Sequence, residues 1–247
     1  MKCYTYDGSF SGLLTCIYEA YYTEMPDKIE KNSMYKPNFI YNEVYIETDM
    51  EKYKKVYSAI KNKVSKVSLE NIFYVYLSEA KDCDTNILKY VRLAFKLGKD
   101  VDLYHNNDLV SSIHQLRDKV SKESIRMLEF IRFKNIGDSI YYSPIEPDHY
   151  VLPIITNHFK TRLPDQNFII HDVMRNQASV YNKKEWMIIP FTREEGEKLM
   201  NKSDQVFYER LWKNYFNAIG IKERKNEKLQ RNHMPERYWK HITEMID

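Results

Sequence analysis

The sequence predicts an α+β fold: a helical N-terminal half with a short strand or two, then a β-α-β-β-β unit and C-terminal helices. Three observations carry this. Apolar residues recur with helical spacing through most of residues 10–134. After Gly137 the pattern turns to short alternating runs bounded by Pro and Asn. The 247 residues contain 21 Tyr but only 6 Gly, with no GxGxxG and no GxxxxGK[ST], which disfavours dinucleotide and P-loop folds. A single domain is expected, with a possible subdivision into 1–136 and 137–247.

In order along the chain, Cys3-Tyr4-Thr5-Tyr6 reads as a strand that ends at Asp7-Gly8-Ser9. Phe10, Leu13, Leu14, Ile17, Tyr18 and Tyr21 then mark one helical face. Residues 39–47 alternate as a strand. Segment 51–66 aligns Tyr53, Val56, Tyr57, Ile60 and Val64, while its six lysines fill the remaining faces. Further helices are expected from Ile72, from Ile87 to Gly98, over 107–119, and through Met127 to Lys134. Residues 139–147 read as a strand and 151–163 as a helix, with Pro153 in its first turn. Runs 167–173, 178–182 and 185–190 read as three strands, followed by helices over 203–219 and 228–246.

Composition limits the function. Net charge is +3, so a basic surface must be local. Cys3, Cys16 and Cys83 are far apart and no CxxC occurs, so neither a zinc site nor an iron–sulfur cluster is indicated, and no metal or cofactor is expected. The N-terminus has no signal-like apolar run, and cytoplasmic location is expected.

The densest chemistry lies in HFKTRLPDQNFIIHDVMR, residues 158–175. His158 and Arg162 lie one helical turn apart. Asp172 alternates with Phe168 and Ile170 on one strand face, and His171 shares the other with Ile169 and Val173. A buried carboxylate needs a partner, and Arg162, Arg175 and His158 are the candidates. Two readings stand side by side: an internal ion pair, or a catalytic pocket of His158, Arg162, Asp172 and Glu146. The C-terminal block has the other distinctive pattern. Arg231, Arg237 and Lys240 interleave with His233, Tyr238, Trp239 and His241, and with the nearby Lys225 and Lys228 and with Arg175 they form a candidate nucleic-acid surface. An amphipathic terminal helix packed on the core explains the same block.

Four stretches together resemble a known bacterial family: YTYDGSFSGLL at 4–14, LEFIRF at 128–133, residues 141–175, and residues 211–244. The family is described as "probable DNA metabolism protein". The resemblance implies a role beside a radical SAM protein of DNA repair, and in some relatives fusion to a uracil-DNA-glycosylase-like domain. Ending at Asp247, the chain is expected to be the stand-alone form. It lacks the cysteine triad of a radical SAM enzyme, so that chemistry would belong to the partner. The family supplies no catalytic residues to carry over. Three functions follow as expectations: a DNA-binding accessory protein, a nucleotide or small-molecule enzyme using the His158/Arg162/Asp172 pocket, or a structural adaptor for the partner.

Overall fold

The computed structural model describes residues 1–200, 212, 214 and 226–245. Within them the chain forms two compact units, Met1–Ser121 and Lys122–Asp247. The expected α+β class is observed.

The first unit holds a three-stranded parallel sheet in the order β2-β1-β3, made of β1 (Lys2–Tyr6), β2 (Lys28–Lys31) and β3 (Asn42–Tyr45). The sequence KIEK of β2 is mostly charged, which hid it from a reading by apolar alternation. Helix α1 (Phe10–Tyr22) starts where Ser9 accepts a hydrogen bond from the Gly12 amide and buries Leu13, Leu14, Cys16, Ile17 and Ala20. Helix α2 (Met50–Ala59) winds into a π-helical turn, Ile60–Val64, before α3 (Lys66–Leu77) and α4 (Cys83–Leu97).

Two carboxylates organise this unit, Asp84 buried and Asp102 half-buried. Asp84 accepts from the Tyr6 hydroxyl at 2.9 Å. Asp102 collects Ser68 at 2.7 Å, Asn71 and His114 at 3.0 Å each, and the Tyr90 hydroxyl. Burial resists the ionisation of Asp102, but these donors outweigh it and hold its pKa below the usual value.

Helix α5 (Asp108–Phe130) is continuous where two helices are expected, because no Gly or Pro interrupts it. In the second unit, β4 (Lys134–Asn135), β5 (Ile140–Ile145), β6 (Asn167–Asp172), β7 (Gln177–Tyr181) and β8 (Trp186–Pro190) form one sheet in that order. Only β5 and β6 are parallel. They are joined by α6 (Leu152–Arg162), which carries Pro153 in its first turn as expected. Leu152, Ile155, Thr156 and Phe159 form the buried stripe of α6. Phe159 meets Phe168 with ring centroids 6.5 Å apart, and Thr156 donates to Ser179 at 2.8 Å.

Helix α7 (Arg193–Met200) lies against the other face, with Gly196 beside Tyr142 and His171. The expected helix over 203–219 lies outside the described residues apart from Trp212 and Asn214. The last helix is cut at Pro235 into α8 (Glu227–His233) and a 3-10 turn, Glu236–His241.

Candidate functional site

Because β5 and β6 are parallel, their carboxyl ends reach one edge together, with Ile145 opposite Asp172. Open α/β sheets bind ligands at such an edge. The loop after β5 and the turn after β6 bring Glu146, Asp148, Asp172 and Arg175 there.

Asp172 is fully buried. One oxygen accepts the Arg175 amide at 3.3 Å, and the other accepts the Arg175 guanidinium at 3.0 Å. Arg175 also donates to the carbonyls of Pro147 at 3.1 Å and Asp148 at 2.8 Å. Its guanidinium lies 5.8 Å from the Tyr150 ring centroid. Burial pushes the Asp172 carboxyl upward, and the Arg175 charge draws it back only in part. Arg175 thus clamps the β5–α6 loop to the turn after β6.

Glu123 of α5 provides a second clamp. Its buried carboxylate accepts the amides of Asp148 at 2.9 Å and His149 at 2.7 Å, the Tyr238 hydroxyl at 2.7 Å, and Arg237 at 3.2 Å. Glu146 supplies a third: it pairs with Lys240, with His241 at 3.3 Å, and with Arg193 at 3.8 Å. Burial works against the ionisation of Glu146, but Lys240 and His241 together hold its pKa below the ordinary value.

Behind Glu146, on the sheet face toward α7, His171 is fully buried. Its Nδ1 lies 2.7 Å from the Tyr142 hydroxyl. Buried Nε2 has no hydrogen-bond partner of good geometry, although the Phe191 backbone is close enough to favour the protonated ring. Burial dominates and lowers the His171 pKa, so the neutral imidazole is held at neutral pH.

The four residues proposed from sequence as a pocket are not brought together. His158 and Arg162 are exposed, outside the buried stripe of α6. They also lie toward the carboxyl end of α6, which leads to the amino end of β6, whereas Asp172 closes that strand. Five residue steps of strand separate the two ends by roughly 16 Å. Of the proposed partners of Asp172, Arg175 is the one used.

The C-terminal block is also largely committed internally. Arg237 pairs with Glu123 and Asp148, and Arg231 with Glu236 at 2.8 Å. Tyr238 is only 3% exposed, so it cannot stack on a base. The Trp239 indole donates to the Met234 carbonyl at 2.9 Å. Lys228 is exposed, and Lys225 lies outside the described residues.

Sequence reading missed Glu123, Tyr142 and His241 as partners, since their contacts join distant segments. A polar ring alternating with Ile169 and Val173 was the available signal for His171. Burial raises the pKa of all three thiols, that of Cys3 to about 11, so none is an activated nucleophile. Among the described residues no His, Cys, Asp or Glu group is arranged to hold a metal ion, and no helix is long and apolar enough to cross a membrane.

A shallow groove lies nearby, between the end of α5 and α8. Lys122, Arg126, Phe130 and His233 line it, with Glu129 as the one acid in the lining. Lys122 and Arg126 are one turn apart, and neither pairs with a carboxylate among the described residues. No curated protein and no solved structure matches the chain. A family profile covers residues 81–244, which include the whole of the clamped edge. The chain belongs to the family defined by this domain of unknown function, DUF4130.

Proposed function

We propose that this chain is a nucleic-acid-binding accessory protein of DNA metabolism and repair, acting beside a radical SAM partner that carries the reaction chemistry. The groove between α5 and α8 supports the binding part, because Lys122 and Arg126 have no carboxylate partner among the described residues and lie beside His233 and Phe130. The arginines nearer the sheet spend theirs on Glu123, Asp148 and Asp172. The partner and the repair context are supported by the family resemblance of the four sequence stretches.

Titration of labelled duplex DNA at several salt concentrations tests the binding. Replacing both Lys122 and Arg126 by Ala should reduce the slope of log affinity against log salt by about 1.8, at about 0.9 for each phosphate contact. A double variant with wild-type affinity and slope rejects the groove as the DNA surface. Co-purification of the native protein tests the partner, and recovery without a radical SAM protein counts against that part.

One observation favours a second reading, a nucleotide or small-molecule enzyme. His171 keeps a buried Nε2 without a well-formed hydrogen bond, beside the Tyr142 hydroxyl. If it acts as a general base, His171→Gln should abolish turnover of an identified substrate while duplex binding persists.

A further inference from the structure

The first unit carries a groove that no sequence motif announced. Tyr18, Tyr21, Tyr22 and Phe95 line it, together with Lys55 and Lys63. Tyr18 and Tyr22, one turn apart on α1, are already stacked with centroids 4.3 Å apart and planes inclined by 26°. Tyr22 ends that stack and is 75% exposed. Tyr21 meets Phe95 edge-on at 5.9 Å. Tyr21 and Tyr22 are left open to water beside half-buried Tyr18 and Phe95, and such a patch marks an interaction surface.

The cations are placed with equal regularity. Lys55 lies 5.7 Å from the Tyr18 ring centroid. Lys63 is eight residues on, and a plain α-helix would put it roughly 80° round from Lys55. The π-helical turn Ile60–Val64 is wider and takes back most of that rotation. Val56 and Val64, also eight apart, are accordingly both buried. Neither Lys55 nor Lys63 has a carboxylate partner among the described residues, whereas Lys52 pairs with Glu19 and Lys54 with Glu51.

The open face of Tyr22, flanked by ammonium groups that have no carboxylate partner among the described residues, matches a base and its neighbouring phosphates along one strand. An apolar peptide would leave both lysines unmatched, and a duplex would hide its base faces. We propose that this groove binds single-stranded nucleic acid, with a base stacked on Tyr22 and phosphates held by Lys55 and Lys63. The inference rests on the first unit alone and not on the groove beside α8.

The test is fluorescence anisotropy of the full chain with labelled oligo(dT) over a range of salt. Tyr22→Ala should weaken binding between about 5- and 150-fold, the range for one base–aromatic stack, with the salt slope unchanged. Tyr22→Phe should bind like wild type, because the ring face is kept. Replacing Lys55 and Lys63 by Ala should reduce the slope by about 1.4, at about 0.7 for each single-strand contact. Tyr22 is exposed, so circular dichroism should show every variant folded. The proposal is overturned if oligo(dT) does not bind, if Tyr22→Ala binds like wild type, or if an abasic strand or polyglutamate binds as tightly as oligo(dT). The Lys122/Arg126 variant is run in parallel. A single-strand loss confined to that variant removes this inference alone, and duplex binding that it leaves intact removes only the other groove.

Discussion

Asp172 and Arg175 pair at 3.0 Å across the turn that leaves β6, with the Asp172 side chain wholly buried. The pair ties that turn to the carbonyls of Pro147 and Asp148, and so holds the loop after β5. Removing the acid strands a half-buried guanidinium. Asp172→Ala should therefore lower the unfolding free energy by about 3–5 kcal/mol. Urea unfolding followed by circular dichroism measures this, and a wild-type transition would refute the clamp.

Glu123 should matter as much, although it lies in the middle of a long helix. It gathers two loop amides, a tyrosine hydroxyl and a guanidinium. Glu123→Ala should cost about 3–5 kcal/mol, and Glu123→Gln less, since one acceptor remains. Limited proteolysis should cut the Glu123→Ala variant within 226–245 sooner than wild type. Equal cutting rates would show that Tyr238 and Arg237 are held by other contacts.

Gly196 sits in α7, where Ala would ordinarily improve helix stability by up to about 1 kcal/mol. Here a methyl group would lie 2.4 Å from the Tyr142 hydroxyl and 2.7 Å from His171 Nδ1. Both rings are buried and bonded to each other, so neither can yield. Gly196→Ala should destabilise by about 1–3 kcal/mol through overpacking. A thermal melt at or above the wild-type midpoint would contradict the close approach of α7.

The buried His171 gives stability a defined pH dependence. Its folded pKa lies below the ordinary 6.5, so between the two values the unfolded chain binds more protons than the folded one. Stability should fall as pH drops below 6.5 and level off below the folded pKa. His241, also lowered by burial and partly restored by Glu146, acts in the same window. Glu146 itself contributes lower down, since its stabilisation is lost only as pH falls below 4.5. His171→Phe should flatten the profile between pH 7 and 5, by denaturant unfolding at each pH. An unchanged profile would place the titration elsewhere.

Local pattern decided much of this molecule. The alternation of Phe168, Ile170 and Asp172 specified both the strand and the buried face, because side chains in a strand repeat every second residue. Pro153 located the start of α6 and Pro235 the break after α8, since each removes a backbone donor. The need of Asp172 for a cation was equally legible, because a lone buried carboxylate is too costly to keep.

Which cation it takes was settled only by the tertiary structure. His158 and Arg162 repeat at helical spacing yet face water, and the direction of α6 carries them to the far end of β6 from Asp172. Glu123 finds Tyr238 across 115 positions of sequence, and Glu146 finds His241 across 95. No local period encodes such pairings. They are chosen by which strand ends meet when β5 and β6 run parallel, and by the burial that makes each charge seek its partner.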